Sequence, residues 1–313
     1  MYSIKSEKID SVITFINEVL KDIAEWDVKS LAWFRGELEE EKEPDNGYLL
    51  PKLYKYNLED RENEMIQLFR MRAQNFDNTP DFERTDQWLF LMRHCELPTR
   101  LLDWTEGALI ALFFAINRFD KKEEEKKKIE FMQKPVVWML NPQILNLFTY
   151  KQLGFSITWV GQLAAKPCPI DNINAAWTKG KSAPHDFPVA IYPYYVHKRV
   201  AAQKSCFTIH GKEKLGIDKI FNQEKLFKTF AKCDECKFMD SLRTDKYRTF
   251  SDAKEVINES YEKGKYLIKY VITVDDKNKF LNDLRSLGIS HSVLFPELDG
   301  LAKELHNTPM NIF

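Results

Sequence analysis

The sequence has few of the residues on which the common catalytic and binding motifs depend. Only 11 of its 313 residues are glycine. It contains no G-x-x-x-x-G-K-[ST], no G-x-G-x-x-G and no G-x-S-x-G, so a glycine cradle for phosphate and a nucleophile elbow are both unsupported. The 6 histidines are scattered and no two have metal-ligand spacing. No charge sign dominates: 46 Lys+Arg face 47 Asp+Glu. That balance gives no nucleic-acid signal and no polybasic membrane patch. No long apolar run exists either. The longest, Ala108–Ile116, is far too short to cross a bilayer, and the amphipathic opening "MYSIKSEKIDSVITFINEVL" does not read as a signal peptide. A soluble, cytoplasmic protein without a membrane partner is expected.

Cysteine is equally sparse. Of 5 cysteines only Cys233 and Cys236 form a C-x-x-C, in "LFKTFAKCDECKFMDSL". The spacing suits half of a zinc site or a redox pair, but zinc needs about four ligands and no second ligand pair is visible. Two thiols on a helix-like segment is the simpler reading, and no bound metal is expected.

What is present suffices for a large core, since 44% of the residues are hydrophobic and 13% aromatic. Residues 7–24 read as an amphipathic helix. "SLAWFRGE" (Ser30–Glu37) reads as a strand, and 58–76 and "DQWLFLMRH" as helices. "TRLLDWT" reads as a buried strand or turn. "GALIALFFAINRF" is apolar on all sides, which places it in the middle of a core. "DKKEEEKKKIE" is a solvated charge run. "PVVWMLNP", "PVAIYPYYV", the end of "RVAAQKSCFTIHG" and Gly264–Val274 read as strands, and 167–189 as an irregular loop. "KNKFLNDLRSLGI" is a helix closed by Gly288. The pattern predicts one mixed α+β domain over 7–306, with a possible helical insertion at 212–262.

Four polar clusters interrupt the apolar segments: Trp33-Phe34-Arg35-Gly36; His94 with Thr99-Arg100 and Asp103-Trp104-Thr105; Arg199 with Gln203; and Glu297-Leu298-Asp299-Gly300. A guanidinium on an apolar strand needs an anion or several acceptors. Arg35 therefore either holds a ligand or pairs with Asp103 or Glu297. Gly36 lets a ligand or another backbone come close. Arg100 and Asp103, three apart, suit a local ion pair steadying the turn. Thr105 is expected to open the following helix, whose free N–H groups favour an anion. His94 serves either as a structural histidine or as an acid–base group. Gln203 is expected to order a backbone loop, Asp299 to cap a helix, and Trp33, Trp88 and Trp104 to belong to the core.

The blocks "WFRGE", "LMRHCELPTRLLDWTEGALIALFFA", "VVWMLNP", "RVAAQKSCFTIHG" and "GISHSVLFPELDGLAKEL" together resemble the FRG domain family, named for a motif matched by Phe34-Arg35-Gly36. The blocks run in order through nearly the whole chain. One position departs: the family usually has Gln before the His of the second block, where this chain has Arg93. The resemblance implies a bacterial or phage setting, often near defence genes, without fixing an activity. A weaker resemblance links the aromatic-Arg-Gly strand and the polar turn before an A-x-x-F-A helix to ADP-ribosyltransferases of the Arg–Ser–Glu class, although the Ser-Thr-Ser and Glu-x-Glu motifs are absent. It implies NAD as substrate without a metal, with Arg35, Gly36 and Thr105 facing the nucleotide and Glu297 and His94 serving catalysis. Thr99, Arg100, Asp103 and Gln203 would stand behind them. The ADP-ribose would be cleaved or passed to an unidentified macromolecular acceptor, as a toxin or defence effector would do. The alternative is a non-catalytic nucleotide- or protein-binding sensor module.

Overall fold

In the computed structural model the described residues are 3–26, 32–40, 42–76, 79–119, 133–142, 144–146, 149, 187–193, 198–220 and 266–307. Cys233 and Cys236 lie outside them, as do most of the loop expected at 167–189 and all of the 212–262 segment beyond Ile220.

The described strands form one seven-stranded sheet. They are β1 (Ser3–Ile9), β2 (Trp33–Glu40), β3 (Leu101–Thr105), β4 (Gln133–Leu140), β5 (Val189–Ile191), β6 (Ser205–Ile209) and β7 (Leu267–Ile272), in the order β1-β7-β4-β2-β3-β6-β5. Every pairing is antiparallel except that of β1 with β7. The helices are α1 (Val12–Glu25), α2 (Lys52–Lys55), α3 (Glu62–Ala73), α4 (Thr85–His94), α5 (Ala108–Arg118), α6 (Lys198–Ala202), α7 (Ile217–Ile220), α8 (Lys277–Ser286), α9 (His291–Leu294) and α10 (Leu298–Asn307). The fold class is mixed α+β, as the periodicities imply.

Two apolar cores lie on the two faces of the sheet. One packs α1, α5 and α8 against Phe34, Val137, Met139 and Ile268. The other joins Ile66 of α3 and Leu89 and Phe90 of α4 to Trp33, Trp104 and Trp138. Alternation along β2 and β4 sends neighbouring residues to opposite cores. Helix α5 sits at the centre of its face, with Ala111, Leu112, Ala115 and Ile116 fully buried. Its all-round apolarity is explained by neighbours on the sheet side and on the α8 side. Trp33, Trp88 and Trp104 are core residues, also as expected.

The differences from the sequence reading lie at the edges. Residues 7–9, expected to begin the helix of 7–24, end the strand Ser3–Ile9 instead, and α1 begins at Val12 behind a Ser11 N-cap that accepts from the Thr14 N–H at 3.1 Å. Gly288 does follow α8 in the left-handed region, with φ +82°.

One buried charged row lies on the β2 face opposite α5. Glu39 accepts from the Trp138 indole and pairs with Lys269, whose ammonium also lies 4.3 Å from the Tyr48 ring centre. Burial, reinforced by the charge of Glu37, pushes the Glu39 carboxyl up to about 8, against the pull of Lys269. A carboxyl raised in the fold holds its proton more tightly there than in the unfolded chain. Its contribution is therefore complete below its ordinary value of 4.5 and is lost as the pH rises towards about 8. Urea unfolding across that window is expected to show a loss of stability that is smaller in Glu39→Gln. Identical pH profiles for the two proteins would contradict it.

Candidate active site

The ladder between β2 and β3 consists of a single pair, Phe34 with Thr105. Just beyond it, Arg35 reaches into the gap and donates from Nη1 to the Asp103 carbonyl at 2.9 Å. A cleft of about 480 Å³ opens at this junction, within the size range of small-molecule sites. Its walls come from β2, β3, β6, the ends of α4 and α5, α6, and Phe295 before α10.

Asp103 is the electrostatic centre. Arg93 binds it in a two-toothed arrangement, its Nε lying 3.0 Å and 2.9 Å from the two carboxylate oxygens, and its Nη2 makes a further contact. Burial alone would raise the Asp103 carboxyl. Arg93, supported by Arg35, outweighs it and holds the carboxyl below its ordinary range. The Arg93 guanidinium is correspondingly raised, chiefly by the Asp103 charge. Arg35 directs Nε and Nη2 to Glu37 at 3.1 Å and 3.0 Å and lies 3.8 Å from the Asp103 carboxylate. Arg118, at the end of α5, adds a third guanidinium. With Arg199 and Lys52, the cleft wall holds five cationic side chains against the carboxylates of Asp103 and Glu96, an excess of positive charge.

The apolar walls are aromatic. Phe90 and Phe207 form one pair with ring centres 5.1 Å apart, and Phe114 and Phe295 another at 6.0 Å. His291 stacks on Phe295 at 4.5 Å, and the Arg199 guanidinium lies 5.1 Å from the same ring.

The sequence-derived candidates divide into three groups. Arg35, Gly36, His94, Asp103, Thr105 and Gln203 all border the cleft. At Gly36, however, the approaching group is backbone: a Cβ there would stand 1.7 Å from the Ala111 carbonyl oxygen of α5. Its missing side chain admits the helix. Thr105 ends β3, two residues before Gly107, the N-cap of α5, instead of opening that helix. Its hydroxyl donates to the Gln203 carbonyl at 2.7 Å and accepts from the Gly107 N–H at 3.0 Å, so it ties three segments together. The Gln203 amide donates to the Leu294 carbonyl at 3.1 Å, ordering the α9 end.

A second group lies elsewhere. Arg100 does not pair with Asp103. Its guanidinium is buried against Glu62 of α3, with Nε–oxygen distances of 2.9 Å and 2.8 Å, and points away from the cleft. Thr99 is buried beside it, its hydroxyl accepting from the Leu101 N–H at 3.3 Å. Glu297 forms the third group alone. It stands beside the cleft mouth without bordering the cavity, its carboxylate 3.2 Å from Arg199, and its carbonyl accepts from the first turn of α10. Glu297, instead of Asp299, is therefore the residue at the head of that helix.

Arg93, Arg118 and the phenylalanine pairs were not selected from the sequence, and Arg199 only as a member of a polar cluster without a role. Arg93 had one signal, its place at the position where the chain departs from the resembled family. Arg118 had none, because a lone arginine at the end of an apolar helix looks like an ordinary helix terminus. Among the described residues no group of three or more His, Cys, Asp and Glu side chains could hold a metal ion, and no helix is long and apolar enough to cross a membrane.

In comparisons with known proteins, residues 30–125 match the family described as the FRG domain. No curated protein and no solved structure matches. The matched segment runs from just before β2 to just past α5, and so includes Arg35, Arg93, Asp103 and Arg118.

Proposed function

Residues 30–125 belong to the FRG domain family, and from that premise we propose that this domain binds NAD or a closely related nucleotide in the β2–β3 cleft and cleaves or transfers its ADP-ribose. We also propose that the functional unit extends over about 7–306, because β5, β6 and β7 complete the sheet that the matched segment begins. The observation that carries the reading is the juxtaposition of aromatic walls with an arginine cluster of net positive charge in one cleft. Flat rings suit a base or nicotinamide, and guanidinium groups suit a diphosphate.

The chemistry follows from the charges. When the nicotinamide–ribose bond breaks, nicotinamide leaves with the bonding electron pair and positive charge develops on the ribose. A fixed carboxylate stabilises that charge. Asp103, kept ionised by Arg93, is the carboxylate at the arginine cluster of the cleft, which Glu96 also borders. Glu297, at the mouth, is the one that the transferase resemblance assigns. The attacking water or acceptor hydroxyl then gives up its proton, and His94, at the end of α4 on the cleft wall, is the group in position to take it. A toxin or defence effector is the setting that this chemistry would serve.

The test is NAD consumption by purified protein, with binding followed by calorimetry. Asp103→Asn is expected to lower turnover by about a hundredfold or more and also to destabilise, because Arg93 loses its partner. Glu297→Gln is expected to leave nucleotide binding intact, and a loss of turnover in it would make Glu297 the working carboxylate. Protein that neither binds nor consumes NAD would defeat the reading. Binding without consumption would select the sensor-module alternative. That alternative is favoured by one observation: both carboxylates are already engaged by arginines, Asp103 by Arg93 and Glu297 by Arg199.

A further inference from the structure

We infer that Arg118, and not Arg35, is the residue that seats a phosphate in this cleft, and that the ligand is a phosphorylated or diphosphorylated compound with a planar or sugar group next to the phosphate. This rests on the cleft being the ligand site, as proposed above, and assigns which residue takes the anion.

The four guanidinium groups of the cleft wall differ in what they already hold, and Arg199 is paired with Glu297 at 3.2 Å. Arg93 is bound through two oxygens of Asp103. Arg35 directs Nε and Nη2 to Glu37 and Nη1 to the Asp103 carbonyl. Its donors face protein acceptors, so it shapes the cleft and its field. Arg118 has no hydrogen-bond or ion-pair partner among the described residues. Its side chain is exposed, and partial desolvation followed by repulsion from Arg35 lowers its pKa, against the attraction of Glu37 and Asp103. A guanidinium cannot shed its charge at ordinary pH. An exposed arginine that makes no ion pair and stands beside other arginines has its donors open to an anion.

The ordinary explanation for an arginine at a helix end is that it satisfies the terminal carbonyls. Here another residue does so. Lys277, at the start of α8, donates its ammonium to the Asn117 carbonyl at 2.9 Å and to the Phe119 carbonyl at 2.7 Å. These carbonyls flank Arg118 in sequence. The clamp fixes the backbone on both sides of Arg118 and occupies the acceptors that would otherwise draw its side chain back. Arg118 borders the cleft instead, with Lys52 of α2 as a further cation in the wall.

The position of Phe114 says what adjoins the phosphate. It lies four residues before Arg118 on α5, hence on the same helix face, and also borders the cleft. A ligand with phosphate on Arg118 would lay its neighbouring group along Phe114 and Phe295. A bare anion would leave that surface unused.

The experiment measures binding of pyrophosphate, ADP-ribose and adenosine to the full chain and to Arg118→Gln by calorimetry, with thermal unfolding alongside. In Arg118→Gln the affinity for pyrophosphate and ADP-ribose is expected to fall at least about tenfold, the scale of one lost charge-assisted contact. Adenosine binding and the unfolding midpoint should be unchanged. Arg118→Lys should restore part of the affinity. ADP-ribose should bind more tightly than pyrophosphate in the native protein. Undiminished pyrophosphate binding in Arg118→Gln, or no phosphoanion binding by the native chain, would overturn the inference. Pyrophosphate bound through Arg118 with NAD neither bound nor consumed would leave it standing and defeat the NAD reading. NAD turned over normally by Arg118→Gln would do the reverse.

Discussion

Gly36→Ala is expected to abolish the native packing of α5 or to cost at least about 3 kcal/mol, the upper part of the range for overpacking a core. The added Cβ would lie 1.7 Å from the Ala111 carbonyl oxygen, 2.7 Å from its carbon and 2.8 Å from the Ala115 nitrogen. All three are backbone atoms of the most deeply buried helix, so no side-chain rotation relieves the contact. The helix must lift from β2. That would displace Phe114 and Arg118 together, so ligand affinity should fall with stability. Gly36 is not in the left-handed region, and its backbone conformation would accept alanine. The cost arises from contact alone. Wild-type stability for Gly36→Ala in urea unfolding would show that α5 does not rest on this glycine.

Glu62→Gln is expected to lower stability by about 3–5 kcal/mol, because it leaves the Arg100 charge buried without its counter-ion. The side chains of the pair are only 10% and 5% exposed, and the Arg100 Nε lies within 3 Å of both Glu62 oxygens. For a chain of this size the midpoint of thermal unfolding should drop on the order of 10 °C. Replacing both partners, as Glu62→Leu with Arg100→Met, should restore much of the loss, since the desolvation cost of both charges disappears with them. The double variant also tests the separation of the two arginines. Arg100 points to α3 and the cleft lies elsewhere, so a folded double variant should bind nucleotide as the native chain does. Loss of binding in a stable double variant would return Arg100 to the site. A single variant as stable as the native protein would mean that the pair is not sealed from water.

The contrast between Arg100 and Asp103 explains why the site was only partly legible. Read as a turn, three residues apart suggests two side chains side by side. The chain is instead extended from Leu101 onward, and an odd separation along an extended chain sends side chains to opposite faces. Arg100 thus finds Glu62 and Asp103 finds Arg93, two counter-ions that the local sequence could not choose. Arg35 was recognisable as an arginine needing acceptors, because an unsatisfied guanidinium on a buried strand is prohibitive. That Glu37, two residues along the same strand face, would supply them was not foreseen. Arg118 was not recognisable at all, since its significance depends on Lys277 taking the carbonyls around it.

By itself the sequence determined the mixed α+β class, the central place of the Ala108–Arg118 helix, the strands around Trp33, Trp138 and Ile268, and the helix stop at Gly288. These follow from local periodicity and backbone preference, which neighbouring residues carry in full. Tertiary structure alone decided that Ser3–Ile9 is a strand, since a short charged segment becomes one only by pairing with β7, far along the chain. It decided also that the space beside Gly36 belongs to a helix, and which arginine of the cleft is left without an ion pair. A charge takes its partner from whatever the folded chain brings within a few ångströms, and in this protein those partners come from helices and strands that are distant in sequence.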